Sequence, residues 1–143
     1  MVSPTSTTNK YSIQPSLLSK HKKTLEWLSA TTLWKLELAF FQKLLDQYAL
    51  KLKTVEDKQR IDHFQNVIIY YKGELIDSLT SRLRLHELKL AEMLESKDES
   101  KSEYFEEHAT LMNELQSLSN QFTEYKEEFF SFMEKVMEQL KSE

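Results

Sequence analysis

The chain has 143 residues, which is enough for one domain of ordinary size. It contains one glycine and two prolines, where ordinary composition would give roughly ten and seven in this length, so sheets, tight turns and ligand-cradling loops are disfavoured. The absence of cysteine excludes disulfides, thiolate metal sites and cysteine nucleophiles, and a net charge of −4 gives no reason to expect nucleic acid as a partner.

Two further features bear on where the protein works. The first residues, MVSPTSTTNKYS, have no apolar segment of the kind that a signal peptide needs. No apolar run approaches the roughly 18 residues required to cross a membrane. We therefore expect a cytoplasmic protein with no membrane partner.

The pattern of apolar residues predicts an all-α fold. We expect a flexible N-terminal arm over residues 1–14, followed by a single domain over 15–143. The domain is predicted to be an elongated, antiparallel three-helix bundle with coiled-coil-like packing. Its helices are expected at about 15–53, 57–95 and 103–141.

The first predicted helix begins near Pro15, since proline is tolerated at the first helical position. It carries two apolar stripes on nearly opposite faces. One stripe contains Leu25, Leu28, Leu36 and Phe40, and the other contains Trp27, Trp34, Phe41 and Tyr48. A helix at the edge of a bundle needs only one apolar arc, so we predict that the tryptophan-containing stripe binds a second copy of the protein or another helical protein. The alternative is one broad apolar arc within a monomer.

The second predicted helix begins after Thr54, a candidate N-cap. Its apolar seam has two consecutive steps of four residues after Leu75, which resembles the local unwinding called a stutter. The only glycine, Gly73, lies just before this point. We expect a bulky neighbour from the first helix to pack closely against Gly73, with a functional kink as the alternative.

The third predicted helix has the most regular heptad pattern. Its seam reads His108, Leu111, Leu115, Leu118, Phe122, Tyr125, Phe129, Phe132 and Val136. The helix is acidic, because residues 98–143 hold four Lys or Arg against twelve Asp or Glu, whereas residues 1–60 hold ten against five. We expect this difference to pair the flanks of neighbouring antiparallel helices.

Histidines interrupt the apolar seams at one end of the predicted bundle. Counting back from the two turns places His86 opposite His108, with His21 within about one turn of both. Three imidazoles together with a carboxylate from Glu26, Glu87 or Glu107 could bind zinc, iron or manganese. The alternative, which we favour, is a hydrogen-bonded polar layer that fixes the register of the helices and binds no metal.

Several strings in the sequence carry a resemblance. They are DHFQN at 62–66, EEHATL at 106–111, FTEYKEEFFSFMEKVM at 122–137 and HKKTLEWLSATTLWKLELAFFQKLL from His21. The chain resembles a family of short, uncharacterised, all-helical bacterial proteins. The resemblance implies a helical fold and supplies no activity.

Three functional hypotheses follow from these observations. The first is a non-enzymatic interaction or scaffold protein, homodimeric or bound to a helical partner through Trp27, Trp34, Phe41 and Tyr48. The second is a small metal-binding bundle that uses the histidine cluster. The third, nucleic-acid binding through the basic N-terminal half, is disfavoured by the acidic third helix.

Overall fold

The structure is a computed structural model and describes residues 14–142. It contains α1 (Pro15–Ala49), α2 (Val55–Tyr70), a π-helical turn (Tyr71–Leu75), α3 (Ile76–Ser96) and α4 (Ser102–Lys141). The π turn joins α2 and α3 into one continuous middle helix. The prediction of an all-α fold is confirmed, because residues 14–142 contain three long helices and no strand. The predicted arm lies outside the described residues except for Gln14, whose backbone N–H donates to Glu99.

The helix ends follow local sequence signals. Pro15 starts α1, and Thr54 caps α2 by accepting a hydrogen bond from the Asp57 backbone N–H at 3.1 Å. At the end of α3, Lys97 adopts a left-handed conformation with φ of 60°. The N–H groups of Lys97 and Asp98 donate to the carbonyls of Leu94 and Met93, which is a Schellman ending. Two short turns therefore fold the three helices back on one another, and α1 contacts the middle helix and α4.

The buried residues form two separate clusters. The larger cluster extends from Trp27, Leu83 and Leu111 towards the turn at 50–54, and its centre is aromatic. The smaller cluster, at the opposite end, contains only Leu17, Leu90, Met93 and Tyr104 as fully buried members. Between the two clusters lie the buried side chains of His86 and His108. The hydrophobic core is therefore divided by a polar layer.

The buried seam of the middle helix differs from the predicted one at Leu75. Leu75 is only half-buried, and the buried residue that follows Tyr71 is Ile76, five positions later. The Ile76 N–H donates to the Tyr71 carbonyl, an i to i−5 bond that accommodates the additional residue. The local unwinding expected near Leu75 is thus a π turn, and the seam resumes its usual spacing of three and four from Ile76.

The predicted packing against Gly73 is wrong. A Cβ atom built at Gly73 would meet no heavy atom within 4 Å. The residue lies on the exposed side of the π turn, whereas the aromatic residues of α1 pack into the core. No neighbour requires glycine at this position.

The predicted roles of the two α1 stripes are exchanged in the structure. Trp27, Trp34 and Phe41 are buried in the larger cluster, and Tyr48 packs partly buried against it. These side chains are therefore core residues rather than a docking surface. The physical reason is that aromatic rings of α1 and α4 pack on each other, as Phe41 does on Phe129 with centroids 4.4 Å apart.

Ion pairs along the flanks follow the acidic character of α4 where it faces α3, as in Arg82 with Glu114 and Lys89 with Glu107, but not where it faces α1. Between α1 and α4, Lys126 of the acidic helix donates to Glu37 of the basic helix at 3.2 Å. Between α1 and α3, Lys35 lies 2.7 Å from Asp77. The contact between α1 and α4 is therefore the place where individual facing residues override the net charge of each helix. No helix within residues 14–142 is long and apolar enough to cross a membrane.

Candidate functional site

Two histidines form the centre of the polar layer. His86 of α3 is fully buried and His108 of α4 is 8% exposed. The His86 Nε2 and the His108 Nδ1 lie 2.9 Å apart, so one ring donates to the other. Their meeting confirms the pairing that was predicted by counting from the second turn.

The surroundings of the pair favour one tautomer. Glu107 Oε1 lies 3.4 Å from His86 Nδ1, and Glu107 Oε2 accepts a hydrogen bond from Lys89 at 2.8 Å. A carboxylate on the Nδ1 side favours the proton at that atom, which leaves His86 Nε2 to accept from the His108 Nδ1–H. The Tyr104 ring stacks on His86 with a centroid distance of 4.2 Å and an interplanar angle of 1°. The layer is thereby held by packing as well as by hydrogen bonding.

The remaining predicted ligands take other partners. His21 of α1 lies beside the pair as expected from its sequence position, but its Nδ1 is 2.7 Å from Glu87 Oε2. Glu26 pairs on the surface with Lys23 at 3.5 Å. The three histidines from three helices are thus at one end of the bundle, and their nitrogens do not converge on a common point.

The predicted metal site does not form within residues 14–142. No group of three or more His, Asp or Glu side chains in this part of the chain is placed to hold a metal ion. The physical reason lies in the pair itself, because the facing nitrogens of His86 and His108 are each other's hydrogen-bond partners. Zinc and iron require these nitrogens as free lone pairs directed at one centre.

Burial sets the protonation of the layer. It lowers the pKa of His108 to about 4, and the nearby His86 and Lys20 act in the same direction. Burial also lowers the pKa of His86, against the opposing effect of Glu107. The pKa of Tyr104 is raised to about 12 by burial and by the nearby Glu87. At neutral pH the two imidazoles and the phenol are therefore uncharged.

The layer meets solvent only at His108, since His86 is fully buried. His108 borders an open cleft of about 550 Å³ that is lined by Ser19, Lys20, Lys22, Lys23 and Glu26 of α1. The Tyr104 hydroxyl, the Glu87 Oε1 and the Nδ1 atoms of His86 and His21 are buried without a well-aligned hydrogen-bond partner in the protein, although carboxylates lie near both Nδ1 atoms. The arrangement is suited to a structural polar layer that can take up a proton, because the two imidazoles are bonded to each other and only His108 borders the cleft.

A second feature lies on the opposite side of α1 from the core. Five apolar side chains there, which we call the outer stripe, are between 39% and 64% exposed: Leu18, Leu25, Leu33, Leu36 and Phe40. At 100° per residue they fall within an arc of about 80° over about 33 Å of helix. The sequence pattern had grouped Leu25, Leu36 and Phe40 in one stripe, and it did not include Leu18 and Leu33. The outer stripe is a candidate docking surface.

Part of this arrangement could have been found from the sequence. The buried stripe of α1 runs the whole length of the helix and continues to Leu52, whereas the outer stripe stops at Phe40. Matching the length of each stripe to the long seam of α4 would have selected the buried one. The Lys89–Glu107 bond and the His21–Glu87 contact carry no comparable signal, since many charged residues lie at similar positions.

Comparison with family models, with curated proteins and with solved structures finds no match to this chain. The resemblance to a family of bacterial helical proteins therefore stays a prediction.

Proposed function

We propose that this protein is a non-enzymatic interaction module that binds an amphipathic helix on the outer stripe of α1. The observation that carries the proposal is the exposure of five large apolar side chains directly opposite the core. Contiguous exposed apolar surfaces of this kind mark sites of association more often than chance placement of single residues does.

The comparison with α4 supports the proposal. Both helices exceed 30 residues and both pack one apolar face into the core. The outward side of α4 carries Glu, Lys, Ser and Gln with only Phe130 and Met137 as exposed large apolar residues, whereas α1 presents five such residues in one line. A line of apolar side chains that stays in water adds no stability to the helix. Burial of each such side chain against a partner contributes roughly 1.5–3 kcal/mol to the association.

The geometry of the outer stripe also suits a helix as the ligand. Its members are spaced at three, four, seven and eight residues, which places them along one side of a cylinder. A helix laid beside α1 would bury them in the same way that α4 buries the inner face. The bundle then acts as a rigid support whose α1 presents the docking side chains.

A synthetic amphipathic peptide tests this proposal. We expect a helical peptide with leucine at heptad positions a and d and glutamate at its flanks to bind the full-length protein saturably, with 1:1 stoichiometry by isothermal titration calorimetry. The variant with both Leu33→Glu and Leu36→Glu places two charges in the outer stripe and is expected to lose at least tenfold in affinity.

The matched control is Leu85→Glu on α3, because Leu85 and Leu33 are both 56% exposed. This variant should bind the peptide as tightly as the unmodified chain does. Circular dichroism establishes that all three proteins are equally helical. Absence of saturable binding by a chain that is monomeric at the concentration used, or equal binding by the double variant, would contradict the proposal.

A further inference from the structure

The spacing of residues along the outer stripe of α1 is symmetric about one position. Including the two polar residues on the same line, the positions are 18, 22, 25, 29, 33, 36 and 40. The successive separations are four, three, four, four, three and four residues, which read the same in both directions. The centre of this pattern is Ser29, which is exposed.

From this spacing, together with the small residue at its centre and the charges beside it, we infer that the helix bound by the outer stripe is the α1 of a second copy, packed antiparallel about Ser29. This inference rests on the proposed function and names its partner. In a two-fold antiparallel pair, each residue faces the one at the same distance on the other side of the centre. Leu18 then faces Phe40, Leu25 faces Leu33, and Ser29 faces its own copy.

The polar members of the line fit this arrangement. Serine at the centre is small enough to let the two helix axes approach closely. Lys22 faces Leu36 of the second copy, so its aliphatic stem covers an apolar side chain while its ammonium group stays in water. On the same flank of the antiparallel pair, that ammonium group lies near Glu37 of the second copy, a partly exposed carboxylate that also accepts from Lys126 of its own chain.

A parallel pair fits less well. It would place Lys22 against Lys22, which brings two like charges together at the interface. It would also place each apolar residue against its own copy, so that Phe40 would face Phe40 instead of Leu18. Charge and spacing therefore both favour the antiparallel arrangement.

The size of the surface sets the expected strength of association. A stripe about 33 Å long on a helix about 10 Å wide gives roughly 350 Å² per copy, or roughly 700 Å² in total. Stable complexes of standard size bury about 1,200–2,000 Å². We therefore expect a reversible dimer with a dissociation constant in the micromolar range or weaker.

The absence of cysteine makes the orientation directly measurable. In the antiparallel pair, the two copies of residue 29 face each other, whereas the two copies of residue 22 are separated by about 21 Å along the axis. The disulfide between two cysteines requires their Cα atoms to lie within about 7 Å. We expect Ser29→Cys to form a disulfide-linked dimer under mild oxidation at least tenfold faster than Lys22→Cys, which is exposed on the same line.

Sedimentation equilibrium of the unmodified chain, from about 1 to 500 μM, accompanies the cross-linking. The inference predicts a monomer–dimer equilibrium that Leu33→Glu with Leu36→Glu shifts to monomer. Equal cross-linking of both cysteine variants, or a monomer at every concentration, would overturn it. A monomer that still binds the synthetic peptide would overturn the inference alone, whereas a monomer that binds no peptide would overturn the proposed function as well.

Discussion

The two ends of the bundle close the same three helices with different chemistry. Near the turn at 50–54, aromatic rings such as Phe64 and Phe129 fill the seam with centroids 5.5 Å apart. Near the turn at 97–101, the same seam positions hold His86 and His108, and only a small cluster lies beyond them. The heptad frame therefore fixes where side chains meet, and the residues placed there decide whether that level of the core is dry and tightly packed or polar and sensitive to protons.

The largest expected effect concerns the aromatic end. Phe129 is fully buried and packs on both Phe41 and Phe64. Phe129→Ala is expected to lower the free energy of unfolding by about 3–5 kcal/mol, because it removes a large apolar side chain and leaves a cavity. Urea unfolding followed by circular dichroism measures this loss. A loss below about 1.5 kcal/mol would mean that this end is not the main source of stability.

A pH titration tests the histidine end. In the unfolded chain His108 has an ordinary pKa of 6.5, and folding lowers it to about 4. Between these values the unfolded chain binds a proton that the folded chain does not, so the contribution is fully present above pH 6.5 and declines as the pH falls. We expect a loss of about 3 kcal/mol by pH 4 from this residue, with a further loss from His86, whose pKa is also lowered.

The control for the titration is the double variant His86→Leu with His108→Leu. It retains the carboxylates, such as Glu107, whose pKa is lowered by its bond to Lys89. Its stability should therefore vary less between pH 6.5 and 5 than that of the unmodified chain. If the two proteins show the same pH dependence over that interval, the histidine layer does not control the acid sensitivity of this end.

The smallest expected effect concerns the turn at the histidine end. Lys97 has a left-handed backbone conformation that costs a side-chain-bearing residue roughly 1 kcal/mol. Lys97→Gly is expected to raise the free energy of unfolding by about 0.5–1 kcal/mol, since glycine adopts this conformation without that cost. Thermal unfolding should show a higher midpoint. A lower midpoint would indicate that the Lys97 side chain contributes an interaction that outweighs the backbone cost.

The helices and the pairing of His86 with His108 were predictable because both depend on local patterns. Apolar spacing and the cap at Thr54 act within a few residues, and the short turns let the facing residue be found by counting. The choice between the two α1 stripes was not predictable in the same way. Both stripes are strongly apolar, and the selection depends on how well aromatic side chains fit the seam of α4.

The chemistry of the histidine layer was harder still to predict. A metal site and a hydrogen-bonded pair use the same residues at the same level of the bundle, and they differ only in where the ring nitrogens point. That direction follows from the stacking of Tyr104 on His86 and from the position of Glu107. Neither interaction has a spacing signature, since it depends on side-chain rotamers across helices.

The π turn has a consequence for how the gene for this chain can change. The buried residues Tyr71 and Ile76 are five positions apart, which is one residue more than a regular α-helical turn needs. Deleting one residue from this turn, for instance the uncrowded Gly73, would restore ordinary spacing and leave the buried positions on both sides in phase. A single deletion within α2 or α3 would instead rotate the remainder of the middle helix by about 100° and turn its core residues towards solvent. The turn is therefore a place where the length of the coding sequence can vary by one codon without loss of the bundle.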